Sequence, residues 1–220
     1  MAKAKRRAGS VIKRALIIAL IWMLTIGGAF GCGWYMGKES IKSFPDVLLV
    51  NADNRLDKDY VPGDLVNLYE MRHSFRLASS EIYMEREAYI AMEEMFAAAE
   101  ADNVNGFIIT SGYRSYDRQI EVYSESAPGE AQQPGASEHQ TGLAFDVTAE
   151  NVGGFQTTEQ YAWLCENAHK YGFIQRYPIG KDDITGISYE PWHYRYVGVE
   201  IAEFIHDKGI TLEEFFEQYK

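Results

Sequence analysis

Four side chains carry the chemistry this sequence offers. His139 and Asp146 lie in the run Ser137-Glu138-His139-Gln140-Thr141-Gly142-Leu143-Ala144-Phe145-Asp146, and Glu190 and His193 lie in Glu190-Pro191-Trp192-His193. Two imidazoles and one carboxylate supply three zinc ligands and leave the fourth tetrahedral position open for water, while a leftover carboxylate, Glu190, could take that water's proton. The set points to a metallohydrolase. Alone, His139 reads as an ordinary polar loop residue. A loop of small residues before it, a turn at Gly142 and an aspartate projecting from the next strand together bring two donors toward one ion. Glu190 and His193 are harder to join. Three apart, they would align on a helix, but Pro191 and the aromatic residues that follow favour extended chain, where an ideal strand sets them on opposite faces. A local twist or bulge is needed there, and spacing alone does not supply it.

The elements that must hold these residues are legible in outline. Ser80 can cap a helix over residues 81–101, where Ala88, Met92, Met95 and Ala99 recur at three to four residues and form an apolar stripe. Residues 107–110 read as a buried strand that delivers Ser111-Gly112-Tyr113-Arg114 at its end, and a second helix begins near Ser115 with Asp117 in its first turn. Residues 126–140, rich in Gly, Pro, Ser, Ala and Gln, read as a loop into His139. In a strand over 143–147, alternation puts Leu143, Phe145 and Val147 on one face and Ala144 and Asp146 on the other. Thr157 with Gln160 has a capping-box pattern for a helix to about Lys170, ended by Gly172. Residues 186–197 read as strand, residues 199–207 as a helix ended by Gly209, and Thr211 with Glu214 opens a last short helix. Helices and strands are interspersed without regular alternation, so the expected class is α+β.

With 220 residues and 46% hydrophobic content, the chain accommodates one sizeable domain and an appendage. Residues 15–37 contain no charge and are long enough to span a bilayer, which takes roughly 20 apolar residues. Lys3, Lys5, Arg6, Arg7, Lys13 and Arg14 precede them with no acidic residue among them, so residues 1–14 are expected to be a basic cytoplasmic tail and everything after Lys38 to lie outside the cell membrane. A cleavable secretory signal is the competing reading, and Ala29-Phe30-Gly31-Cys32 faintly resembles a lipoprotein site; either exports the domain. Residues 38–76 read as a stalk and lead-in that wraps the domain, with a short strand at Val47-Leu48-Leu49-Val50, and residues 77–220 as the catalytic domain. The part beyond the basic tail keeps 15 of the 21 basic residues and all 32 acidic ones, a formal charge of −17, which argues against a nucleic-acid partner. Two cysteines, Cys32 and Cys165, imply no disulfide framework, and Cys165 reads as a small core residue. His73, His169 and His206 are not needed as ligands. The tyrosines are mostly packing, with Tyr113 and Tyr194 as candidates to line a substrate groove.

A resemblance supplies what spacing does not. Ser111-Gly112-Tyr113-Arg114-Ser115, then Ser137-x-His139 and Asp146, then Glu190-Pro191-Trp192-His193, resemble in order and spacing the zinc D-alanyl-D-alanine carboxypeptidases of the VanY type, which include related L,D-carboxypeptidases. The similarity runs from about Leu49 to Val199 and takes in Tyr60-Val61-Pro62-x-Asp64-Leu65 and Tyr171-Gly172-Phe173-Ile174-Gln175-Arg176-Tyr177-Pro178. It implies a single compact zinc-peptidase domain of hedgehog-like type, and one zinc ion per chain on His139, Asp146 and His193. It makes Glu190 the catalytic base. Arg114 would bind or polarise the scissile carbonyl, Ser137 would help hold the substrate terminus, and Gln119 would stand near the site. The implied activity is removal of the C-terminal D-alanine from peptidoglycan stem peptides, either D,D- or L,D-specific. The alternative is a non-catalytic ectodomain that binds or senses cell-wall peptides; Glu190 speaks against it.

Overall fold

The computed structural model describes residues 44–127, 130–150 and 153–219. The expected membrane span over 15–37 lies outside them, and among the described residues no helix is long and apolar enough to cross a membrane. Pro45–Lys220 forms one compact unit.

Its frame is a five-stranded sheet in the order β2-β4-β5-β7-β6, built from β2 (Arg76–Leu77), β4 (Phe107–Ser111), β5 (Ala144–Ala149), β6 (Phe173–Gln175) and β7 (His193–Tyr196). Only β2 and β4 run parallel; the other neighbours are antiparallel. A separate antiparallel pair joins β1 (Leu65–Asn67) to β3 (Tyr83–Glu85). With helices set against a mainly antiparallel sheet, the class is α+β.

The period of two decides which side of the sheet each residue serves. Phe145 and Val147 on β5 and Tyr194 on β7 belong to the same buried apolar cluster as Met92, Met95, Phe96 and Ala99 of α1 (Arg86–Ala101). Burying each such large side chain is worth about 1.5–3 kcal/mol, so this layer ties α1 to the sheet. Asp146 and His193, the alternate positions, face away from it, and they pair directly across β5 and β7.

Some element boundaries differ from the sequence expectation, each for a local reason. The first helix starts at Arg86 rather than Glu81, because Tyr83–Glu85 pair with β1 while Ile82 and Met84 are buried. Ser79, not Ser80, makes the side-chain bond there, accepting the backbone N–H of Glu81 at 3.1 Å. Thr158, one residue after the expected Thr157, caps α3 (Glu159–Asn167), and the Gln160 side chain donates to the Asn105 carbonyl instead of closing a box. Residues 47–50 form no strand, although Val50 is fully buried. Cys165, expected in the core, is exposed.

The expected strand over 186–197 is confined to β7, because the chain turns at Pro191-Trp192 before it, whereas the expected helix ends at Ser115, Gly209 and Thr211 hold. Ser115 caps α2 (Tyr116–Glu125). A short α4 (Asp182–Thr185) follows β6, and Gly209 ends α5 (Val199–Lys208) in the left-handed region. In α6 (Leu212–Tyr219) the capping box is reciprocal: Thr211 Oγ1 accepts the Glu214 N–H at 3.2 Å, and Glu214 accepts the Thr211 N–H at 2.8 Å.

Residues 45–64 lie across the domain. Leu56 N–H donates to the Gly135 carbonyl at 2.8 Å, and the Gln140 amide donates to the carbonyls of Asp57 and Tyr60 at 2.9 and 3.2 Å. The lead-in thereby supports the loop that carries His139.

Candidate active site

Three segments converge on one side of the sheet. The first is the end of β4. Its pairing with β5 advances two residues, from Ile109 to Ser111, against one, from Val147 to Asp146, so Thr110 is an extra residue that bends the chain outward toward Arg114. Gly112 follows, where any Cβ would collide with the Tyr83 carbonyl oxygen. Only glycine fits that approach, and it frees the Gly112 carbonyl to receive the Nδ1–H of His139 at 2.7 Å.

The second segment is the single-turn 3₁₀ helix Glu138–Thr141, closed by Gly142 at φ 69°. It buries His139 and joins the first segment through the Arg114 N–H, which donates to the His139 carbonyl at 3.0 Å. The third is the turn before β7. His193 opens that strand, while Glu190 precedes it, with the His193 N–H directed at the Glu190 carbonyl at 3.4 Å. The pair needs no twisted strand: a turn sets Glu190 beside the ring of the residue three further on.

His139, Asp146 and His193 each present one ligand atom, and these atoms lie within 4.8 Å of one another. Asp146 stands between the rings, with Oδ2 3.3 Å from His139 Nε2 and Oδ1 3.0 Å from His193 Nδ1. The imidazoles meet edge to face at 88° with centroids 4.8 Å apart. Each ring commits one nitrogen outward and turns the other toward Asp146: His139 Nδ1 goes to Gly112, and His193 Nε2 faces Glu138 at 3.6 Å. Inward lone pairs with outward-held N–H groups and one carboxylate form a borderline-soft donor set that suits zinc. The residues fit the ion.

The protonation pattern agrees with a place for a cation. Burial lowers the His139 pKa, outweighing the attraction of Asp146, and keeps that ring neutral. Burial opposes charge on His193 as well, but its bonds to Asp146 and Glu138 raise it to about 9. Burial works against the Asp146 carboxylate too, yet the two histidines hold it well below the usual range. Positive charge is thus favoured between His193 Nδ1 and Asp146, where a metal ion would displace the ring proton.

Glu190 and Arg114 flank the cluster. Glu190 Oε2 is 3.8 Å from His193 Nδ1, and burial pushes this carboxyl up to about 7 against the opposing pull of His193. Arg114 Nη2 is 3.9 Å from Asp146 Oδ2, and its guanidinium is held by Gln119 Oε1 at 2.9 Å and Ser111 Oγ at 3.0 Å. Gln119 is itself fastened by donating to the Gln132 carbonyl at 2.7 Å. Glu190, Arg114, Gln119, Ser137 and Trp192 line, with the His-Asp-His cluster, a recess of about 160 Å³.

Two expected groove residues are elsewhere. Tyr194 is 1% exposed and packs on Phe145 in the apolar layer, because its place next to His193 on β7 sends it to the opposite face. Tyr113 is half-buried beside Arg114, with its N–H on the Tyr83 carbonyl, and does not line the recess. Conversely, sequence reasoning passed over Glu138, Arg176 and Arg195, all buried behind the cluster. The signal was present: arginines inside the aromatic runs at 173–177 and 192–196 require a buried carboxylate partner.

The family model for VanY D-alanyl-D-alanine carboxypeptidases matches residues 81–199. The chain belongs to the VanY family. YodJ of Bacillus subtilis (strain 168) is 42% identical over 198 residues, covering 84% of this chain and 72% of YodJ. The LdcB LD-carboxypeptidase, whose structure addresses peptidoglycan recognition, superposes with a TM-score of 0.69 at 41% identity over 78% of this chain and 86% of LdcB. A zinc complex of a variant of the vancomycin resistance D,D-pentapeptidase VanY, from a VanB-type cassette, superposes with a TM-score of 0.64 at 35% identity over 76% of this chain and 97% of that one. This VanY-family chain is a carboxypeptidase.

Proposed function

We propose that this VanY-family protein is a zinc-dependent carboxypeptidase that removes the C-terminal D-alanine from peptidoglycan stem peptides. Residues 15–37 would anchor it in the cell membrane with the N-terminus in the cytoplasm and the catalytic domain outside. One observation carries the reading: a carboxyl group, Glu190, and a fixed guanidinium, Arg114, flank a buried His-Asp-His cluster in one recess.

His139, Asp146 and His193 would hold one zinc ion per chain. When bound, it supplies Lewis acidity, making water acidic near neutral pH and drawing charge from a carbonyl oxygen. Glu190 accepts the proton of the attacking water and returns it to the departing amine, a double task suited to a carboxyl that burial has moved toward neutrality. Arg114, held from behind by Gln119 and Ser111, stabilises the negative charge that grows on the peptide oxygen. Ser137, buried at the recess, is placed to hold the substrate terminus.

The test is release of free D-alanine by the full chain from a stem pentapeptide and a stem tetrapeptide, with and without a chelator. Chelator-sensitive release is expected, and the substrate that is cut names the D,D or L,D specificity. Absence of release from both, with zinc shown to be bound, would overturn the catalytic reading in favour of peptide binding. Resistance to carbonate extraction, with the domain open to external protease, is the expected result for the anchor.

A further inference from the structure

The surroundings of Glu138 are more elaborate than its position in a tight turn requires. Its carboxylate has no exposure to solvent. One oxygen, Oε1, accepts two guanidinium bonds, from Arg176 Nε and Arg195 Nη1, both at 2.8 Å. Each arginine is itself anchored. Arg176 forks onto Glu213 of α6, and Arg195 donates to the Leu48 carbonyl of the lead-in at 2.8 Å and to the Tyr196 carbonyl at 3.0 Å. The charges of Arg176, Arg195, Glu138 and Glu213 cancel. Burial opposes the charged form of Glu138, but the two guanidiniums outweigh it and hold the carboxyl well below the usual range.

The second oxygen, Oε2, has no hydrogen-bond partner among the described residues, and neither has His193 Nε2. These two buried atoms face each other at 3.6 Å, on the side of the ring away from the Nδ1 that meets Asp146. A carboxylate can only accept, so Glu138 Oε2 favours a proton on Nε2 as Asp146 Oδ1 does on Nδ1; zinc would take the place of the Nδ1 proton alone, leaving the one on Nε2 to Glu138.

We infer that Glu138 is a positioning residue: its arginine-clamped carboxylate keeps the His193 proton on Nε2 and aims the Nδ1 lone pair at the metal. The inference rests on the zinc reading above. It also gives the clamp a purpose. Without Arg176 and Arg195 the carboxylate would have no fixed place, and through them the lead-in and α6 help to orient a ligand they do not touch.

Zinc affinity of the folded full-length protein, by competition with a chromogenic chelator, tests this alongside ring nitrogen NMR of His193. In the wild type, zinc is expected on Nδ1, with an Nε2–H that exchanges slowly with solvent. In Glu138→Gln the amide oxygen must face the guanidiniums, which only donate, so its NH₂ faces His193 and drives the ring proton to Nδ1. Zinc affinity should fall about 10–100-fold, the range found for outer partners of metal-bound histidines. If Glu138 merely neutralises the two arginines, the variant melts at a lower temperature but binds zinc as the wild type does, and that result overturns the inference. Should Glu138→Gln fail to fold, Glu138→Asp decides. It keeps the charge but draws the carboxylate back from the ring, so weakened zinc binding with a near-normal melting temperature supports the inference and unchanged binding overturns it. Zinc on Nε2, or a freely exchanging Nε2–H in the wild type, overturns it without any variant. A wild type that binds no zinc sinks the zinc reading itself, an outcome distinct from binding that ignores Glu138.

Discussion

Glu138 and Glu190 are two carboxyl groups on either side of one imidazole, and their surroundings assign them opposite tasks. Two guanidiniums bind Glu138 and keep it charged; Glu190 is buried without such a bond and is pushed up to about 7. Carboxyls driven apart in this way mark acid–base assignments. Replacing Glu190 with Gln should lower kcat by about 10²–10⁴-fold while zinc content, measured by atomic absorption, stays at the wild-type level. Retained turnover would remove Glu190 from the mechanism. For Arg114→Ala the expected loss in kcat is about 10²–10³-fold, again with zinc retained. Arg114→Lys should not restore it, because an ammonium cannot span Gln119 Oε1 and Ser111 Oγ as the planar fork does. Residue types and spacing singled out His139, Asp146, Glu190 and His193 as candidates, and only the family resemblance joined them into one site and added a role for Arg114. Both missed Glu138, whose partners lie 38 and 57 positions away and are joined to it only by folding.

At the scale of elements, site geometry comes from irregularities rather than from regular helix or strand. The bulge at Thr110, the close approach at Gly112 and the turn before His193 each re-aim a side chain that ideal geometry would misdirect. Gly112→Ala should force β4 away from Tyr83, break the bond from His139 to the Gly112 carbonyl, and destabilise the domain by about 1–3 kcal/mol in urea unfolding, with a fall in activity beyond the loss of folded protein. A stability within error of the wild type would show that the contact relaxes freely. Thr211→Ala removes the cap of α6 and should cost about 1 kcal/mol. Helix periodicity and capping residues made most elements legible. Residues 83–85 show why some were not: β1 is too short to signal a partner, so the pairing that draws this segment out of the helix is invisible locally.

For the molecule as a whole, the lead-in and the last helix close over the arginines that support Glu138, so metal site and fold should be coupled. Removing metal by dialysis against a chelator should lower the melting temperature. Adding zinc should restore it, by about 2.7 kcal/mol once free zinc reaches a hundred times its dissociation constant. A melting temperature indifferent to zinc would place the ion outside the folded domain. What the sequence determined by itself was whatever depends on near neighbours. Residue types, the alternation that turns Asp146 from the core and the caps of α2 and α6 all follow from bonds and periods a few residues long. The tertiary structure alone decided how the turn at Glu190 and the strand at His193 meet, that Tyr194 belongs to the core, and that a buried carboxylate between two arginines stands behind the metal cluster. Those outcomes depend on which distant segments share a desolvated space, where an unpaired charge is too costly to persist and each group must find its partner from elsewhere in the chain.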